Sequence, residues 1–177
     1  MASPPRQIEA GQDFEVTRRC IHRRFFLPPR AEVTDAFLYI LAYYAQQHGI
    51  SLYALVIIAN HYHLLGRDNR GTLPRFMRDL NGFVARCLNS QHARDDKLWS
   101  GDGYHIVRPV NPEDVWARLL YITSNPVNAD LVSRTEEHPG FSRRVTSPAR
   151  VLRHAEPRMR LGVRFSKSTR CAARSGG

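Results

Sequence analysis

Apolar positions in the first half of the chain alternate between the spacings that mark strands and helices. Phe14 and Val16 alternate with polar neighbours, which predicts a first strand over 14–20. Apolar residues then recur at helical spacing from 33 to 44, and Gly49 stands where a helix needs a left-handed residue to end. The β-branched stretch 50–58 and the apolar stretch 62–66 predict two neighbouring strands.

The second half continues with a helix over 73–88, which has Pro74 in its first turn, and a short strand over 104–108. A cap, a proline and two acids at 111–114 predict the start of a third helix. Its inward positions are predicted to be Val115, Leu119 and Leu120. This order of elements predicts an α+β fold, a ferredoxin-like sandwich whose helices pack on one face of a mainly antiparallel sheet.

Charge divides the chain into three parts. Residues 1–13 form a polar, flexible lead-in, and 14–141 form one domain whose apolar content is ordinary for a globular protein. Ten Lys or Arg and one acid give the tail 142–177 a charge of +9, so only +1 of the formal +10 belongs to residues 1–141. The tail is predicted to be a disordered, Arg-rich extension that either binds DNA or has no function.

Several classes of protein are excluded by what the sequence lacks. Three scattered cysteines without a Cys-x-x-Cys pair argue against a disulfide framework and against a structural zinc site. No stretch approaches the roughly 20 apolar residues that span a bilayer, and the first residues do not resemble a signal peptide. No glycine-rich nucleotide motif is present. We therefore expect a soluble, cytoplasmic protein without a membrane partner.

The stretch Asn60-His61-Tyr62-His63-Leu64-Leu65 contains the first candidate chemistry. Side chains alternate across a strand, so His61 and His63 would share a face and could bind one metal ion. Taken alone, the pair is equally compatible with two unrelated histidines.

Tyr121 is the candidate nucleophile, because a tyrosine can form a covalent phosphotyrosine. The alternative is a tyrosine at a helix end that packs against the core. Asn125 lies four residues later, where an unbroken helix would place it on the face of Tyr121 as a third metal ligand. Pro126 favours another role, in which Asn125 caps a new helix. The spacing leaves both roles open.

Basic and aromatic residues supply candidate DNA contacts outside these motifs. They are Arg18, Arg19, Arg23, Arg24, Arg75, Arg78 and Arg108, with Trp99 as a base-stacking residue. For the arginines the alternative is plain solvated surface, and for Trp99 it is packing in the core.

Together, the two motifs resemble those of a known enzyme family. The stretch 60–65 resembles the HUH motif, in which U is a hydrophobic residue, of single-tyrosine transposases. The stretch Tyr121-Ile-Thr-Ser-Asn-Pro-Val-Asn-Ala-Asp-Leu-Val resembles their tyrosine motif. The similarity extends over about 14–132 and is greatest to the REP-associated branch of insertion-sequence-like transposases. Ala59, Asn128 and Asp130 depart from the usual pattern without touching its chemical groups.

This resemblance implies a Mg²⁺- or Mn²⁺-dependent endonuclease and strand transferase that acts on single-stranded or hairpin DNA. It implies metal ligation by His61 and His63, with Asn125 as a polar assistant or third ligand, and attack by Tyr121 to leave a 5′-phosphotyrosine. A homodimer is compatible with it. The rivals are a non-cutting DNA-binding relic, another HUH enzyme such as a relaxase or replication initiator, and, more distantly, a zinc-binding structural protein.

Overall fold

The computed structural model describes residues 9–128 and 142–144. The strands are β1 Gln12–Arg19, β2 Ile50–Ile58, β3 His61–Asp68, β4 His105–Val107 and β5 Ser142–Arg144, and the helices are α1 Ala31–His48, α2 Leu73–Gln91 and α3 Pro112–Asn128. The predicted order from β1 to α3 is confirmed. Among the helices in these described residues, none has both the length and the apolar character that crossing a bilayer requires.

The five strands form one sheet in the order β4-β1-β3-β2-β5, and every neighbouring pair is antiparallel. The first four strands have the predicted ferredoxin-like connectivity, with β3 at the centre. β5 was not predicted, and it comprises the first three residues of the basic tail. The rest of the tail and residues 1–8 of the lead-in lie outside the described part of the chain, and Gln12 and Asp13 belong to β1.

Helices cover both faces of the sheet, so the prediction of helices on one face is wrong for α3. Two crossover connections, β1-α1-β2 and β3-α2-β4, place α1 and α2 on one face, where they bury the main core around Tyr62 and Leu64. α3 follows β4 and lies on the other face. There Ile122 packs against a smaller cluster formed by Ala54, Val56, Ile58 and Leu65.

Local chemistry fixes the ends of the helices. Gly49 ends α1 in the left-handed region at φ 68°, as predicted. Before α3, the Asn111 side-chain oxygen accepts the backbone N–H of Asp114 at 2.8 Å, so the predicted cap is confirmed. α3 then continues through Pro126 to Asn128. Leu120 is 57% exposed, which makes its predicted inward position wrong.

Candidate active site

The period of β3 places both histidines of the first motif on the sheet face that α3 covers. The rings of His61 and His63 lie 5.1 Å apart between centroids. Tyr62, between them, points to the opposite face, where its hydroxyl donates to Asn81 Oδ1 at 2.9 Å. Alternation along one central strand therefore separates the histidine pair from core packing, as predicted.

Each histidine has its Nδ1 atom engaged by a neighbour. His61 Nδ1 lies 2.6 Å from Asn60 Oδ1, and an amide oxygen can only accept. Nε2 of His61 is therefore the nitrogen with a lone pair available. Burial, then the charge of His63 and then Arg19, lower the pKa of His61 to about 4. The imidazole is consequently neutral near pH 7, which is the form that binds a metal ion.

His63 is held by β1. Its Nδ1 lies 3.2 Å from Glu15 Oε1 and 3.0 Å from the Thr17 hydroxyl. Because a carboxylate accepts and does not donate, Nδ1 carries the proton and Nε2 carries the lone pair. Glu15 is 3% exposed. It was not predicted as a site residue, because alternation within β1 does not reveal which residue of another strand lies beside it. Its role depends on the register that pairs Thr17 with His63 and Glu15 with Leu65.

Tyr121 stands on α3 above this pair. Its ring centroid is 6.0 Å from that of His63, at nearly a right angle, and the residue is 46% exposed. Tyr121 and His63 line a cleft of about 690 Å³ together with Glu15, Thr17 and Arg118. We call this space the tyrosine cleft. A half-exposed tyrosine next to the buried His63 is accessible to a substrate, unlike a tyrosine packed in the core.

Arg118 adds a positive charge to the tyrosine cleft. Its Nη1 atom lies 3.4 Å from Glu15 Oε2, so Glu15 contacts His63 with one oxygen and Arg118 with the other. Arg118 precedes Tyr121 by three residues on α3 and thus shares its face. Its side chain is 41% exposed. Arg118 can therefore contact an anionic group that enters the cleft.

Asn125 lies one helical turn after Tyr121 and is 9% exposed. Because α3 is continuous from Pro112 to Asn128, the alternative in which Asn125 caps a new helix is wrong. The described residues that line the tyrosine cleft include Tyr121 but not Asn125.

The predicted DNA contacts near β1 and β4 are distributed around this face. Arg19 lines the tyrosine cleft. Arg23 and Arg24 are exposed in the segment that follows β1. Arg108 is exposed after β4 and lines a second groove. These four residues are accessible to a nucleic acid.

The other predicted DNA contacts lie elsewhere. Arg75 and Arg78 are exposed on α2, which covers the opposite face of the sheet. Arg18 is on that opposite face too, with its guanidinium 5.8 Å from the Trp99 ring, and burial lowers its pKa. Trp99 is 8% exposed and donates Nε1–H to the Asn81 carbonyl at 2.8 Å. Base stacking by Trp99 is therefore wrong, since the indole is buried in the core.

The ring nitrogens of the two histidines are suited to binding a divalent cation. Both Nε2 atoms have lone pairs, and side-chain oxygens hold both Nδ1 atoms, as is usual for histidine ligands. Over the described residues, no group of three or more His, Cys, Asp or Glu side chains is arranged to hold a metal ion. A third ligand would therefore come from another kind of group, such as an amide or a substrate oxygen.

Comparison with known proteins identifies the family. The family model described as IS200-like transposase matches residues 14–112, which is more than half of the chain. The chain belongs to the IS200-like transposase family. Transposases of this family cleave and rejoin DNA in transposition. The match contains both histidines and Glu15, and it ends where α3 begins, before Tyr121.

The chain shares its fold with a solved structure and is similar to a second one. A REP-associated tyrosine transposase bound to a REP hairpin is 16% identical, with a TM-score of 0.64 over 80% of this chain and 82% of that chain. A crystal structure of a putative transposase from Deinococcus radiodurans R1 is 24% identical, with a TM-score of 0.46 over 69% and 95% of the two chains. Among curated proteins, no sequence matches the chain.

Proposed function

We propose that the chain is a single-strand DNA endonuclease and strand transferase that acts on hairpin or single-stranded DNA through a 5′-phosphotyrosine. The observation that carries this proposal is the position of Tyr121 in an open cleft, 6.0 Å from His63 between ring centroids. A phosphodiester in the cleft would meet the phenol, His63 and Arg118 together, with the His61 ring 5.1 Å from that of His63. Transposase family membership supports the same chemistry.

In the proposed reaction, Tyr121 Oη forms a bond to phosphorus as the bond from phosphorus to the 3′ oxygen breaks. The phenol loses its proton, and the departing 3′ oxygen gains one to become a hydroxyl. Attack by the 3′-hydroxyl of another strand reverses these steps and restores the phenol. The phosphodiester is conserved throughout, so rejoining needs no external energy source.

Negative charge on the phosphate oxygens increases in the transition state, and the chain supplies groups that can oppose it. Arg118 can donate N–H groups to these oxygens. His61 and His63 would hold Mg²⁺ or Mn²⁺ through Nε2, and we propose Asn125 as the third ligand from its place one turn after Tyr121. When bound, such an ion polarises the phosphate as a Lewis acid.

We propose DNA as the partner. A homodimer stays a prediction, and size-exclusion chromatography of the full chain would test it. Basic residues near the tyrosine cleft suit a phosphate backbone. Arg19 lines the cleft, and Arg23 and Arg24 are exposed beyond β1.

The test is formation of a covalent adduct. The full chain is incubated with labelled single-stranded hairpin DNA, including the hairpins that flank its gene, and Mg²⁺ or Mn²⁺, and is then run on a denaturing gel. We expect an adduct that requires the metal and disappears in Tyr121→Phe and His61→Ala. Tyr43→Phe is the matched control, because Tyr43 is 45% exposed on α1 and far from the cleft in the fold.

The outcome decides between the transposase reaction and its nearest rival. An adduct that survives Tyr121→Phe would refute the assignment of the nucleophile. Binding to every hairpin without any adduct would replace the proposal with a DNA-binding relic that no longer cuts.

A further inference from the structure

A second groove, of about 930 Å³, lies on the same face of the sheet as the tyrosine cleft. Its walls include Gln12, Tyr53, Arg67, Arg108, Trp116 and Leu119. We call it the Trp116 groove. Arg108 is a predicted DNA contact, whereas Trp116 and Arg67 were not recognised as candidates from the sequence.

The Trp116 groove continues the tyrosine cleft along shared elements. β1 contributes Gln12 to the groove and Glu15 to the cleft, and α3 contributes Trp116 to the groove and Tyr121 to the cleft. Trp116 precedes Tyr121 by five residues, which is about 7.5 Å along a helix axis and about 140° around it, so the two side chains leave α3 in different directions. A single strand whose phosphate lay at Tyr121 would therefore reach Trp116 after a few nucleotides, along the sheet face that the cleft and the groove share.

The side chains of the groove suit a nucleotide. Trp116 is 58% exposed and offers a flat aromatic surface to a base. Arg67 and Arg108 supply two positive charges to the groove, and Asp13 supplies one negative charge. Asp13 lies 3.7 Å from Arg67 and accepts a hydrogen bond from the Tyr53 hydroxyl at 3.1 Å. Aromatic rings combined with basic residues are the usual means of binding single-stranded nucleic acid.

We propose that the Trp116 groove binds nucleotides a few positions away from the phosphate that Tyr121 attacks, with Trp116 stacking on a base and Arg67 and Arg108 contacting phosphates. This inference rests on the proposed function, because it takes single-stranded DNA as the occupant. The groove would hold the strand in register, so that one particular phosphate reaches the nucleophile.

The chain offers a direct optical test, since it has two tryptophans and only Trp116 is exposed. The full-length chain carrying Tyr121→Phe, which prevents cutting, is titrated with a single-stranded 20-residue oligo-thymidine while tryptophan fluorescence is followed. We expect quenching, because a base would stack on Trp116. The same titration of Trp116→Phe should show little quenching, because Trp99 is buried.

Affinity for the same oligonucleotide gives a second measurement. We expect Trp116→Ala to weaken binding by roughly 5- to 100-fold, the range found for the loss of one base–aromatic stack. Leu120→Ala is the matched control, because Leu120 is 57% exposed on the same helix but does not line the groove. Circular dichroism spectra verify that both variants are folded.

The outcomes separate this inference from the proposed function. Equal affinity of Trp116→Ala and Leu120→Ala, or quenching that persists in Trp116→Phe, would overturn the groove as a nucleotide site even if the wild type formed an adduct. Absence of any binding would overturn it too. Quenching at Trp116 with no adduct in the wild type would support the groove and refute the cutting reaction.

Discussion

The buried carboxylate of Glu15 accepts the Nδ1–H of His63 at 3.2 Å and meets Arg118 at 3.4 Å with its other oxygen. One acid thus connects a candidate metal ligand on β3 with a cation on α3. Carboxylates in this position orient a histidine ligand and increase its basicity. We therefore propose Glu15 as a positioning residue that acts through His63 and Arg118.

We predict that Glu15→Gln leaves the chain folded but weakens the site. The amide has nearly the same volume, but without the carboxylate charge it holds the Nδ1–H and Arg118 less strongly. We expect the Mn²⁺ affinity to fall by about 10- to 100-fold, measured by electron paramagnetic resonance of free Mn²⁺. The yield of adduct at limiting Mn²⁺ should fall in parallel.

Asp13→Asn is the control for this change. Asp13 lies on the same strand and the same face, but its partners are Tyr53 and Arg67. Unchanged Mn²⁺ affinity in Glu15→Gln, or an equal decrease in Asp13→Asn, would show that Glu15 has no specific effect on the histidines.

We predict that His61 makes the folded state less stable in acid. Its pKa of about 4 in the folded chain is below the ordinary value of about 6.5, so the unfolded chain binds the proton more tightly. The contribution of His61 is fully present above about pH 6.5 and is lost as the pH falls towards 4. Because the ring is partly exposed, we expect a decrease of about 1–3 kcal/mol in the free energy of unfolding.

Urea unfolding between pH 7 and pH 4 measures this effect. His61→Gln lacks the titrating group and should lose less stability over that interval than the wild type. Identical pH dependence of the two proteins would mean that the pKa of His61 is not depressed.

We predict that Gly66→Ala strongly destabilises the sheet. A Cβ atom at this position of β3 would collide with the carbonyl oxygen of Ser51 on β2 and crowd the Phe14 ring. Backbone cannot move aside as a flexible side chain can, so we expect the free energy of unfolding to fall by about 1–3 kcal/mol or more. Gly101→Ala, where no atom lies within 4 Å of the added carbon, should unfold at nearly the wild-type urea concentration.

We predict that the basic tail contributes to DNA binding through its charge. Truncation after Arg144 keeps β5 in place and removes eight Lys or Arg. If the tail binds phosphates, the plot of log affinity against log salt concentration should become less steep in the truncated chain. The slope should change by about 0.7 for each phosphate of the single strand that the tail neutralises. The same slope in the full and truncated chains would show that the tail does not bind DNA.

Periodicity made much of the fold predictable. The alternation in β3 was enough to place His61 and His63 on one face, and Gly49 marked the end of α1. The tyrosine cleft was harder to predict, because Glu15 and Arg118 become neighbours only through strand register and the packing of α3. Trp99 and Leu120 were misassigned for the same reason, since local spacing does not reveal what covers a residue.

The alternation of β3 also bears on how members of this family lose their function. Odd positions in the motif carry His61 and His63, whereas even positions carry Tyr62 and Leu64, which are fully buried. Under the proposed function, replacing a histidine would leave that core intact, so a gene copy would lose catalysis while its product still folded. An insertion or deletion of one residue is different, because it exchanges the two faces and removes chemistry and core together. Under the same proposal, point substitution of a histidine would yield folded, inactive descendants, whereas a shift of register would yield unfolded ones.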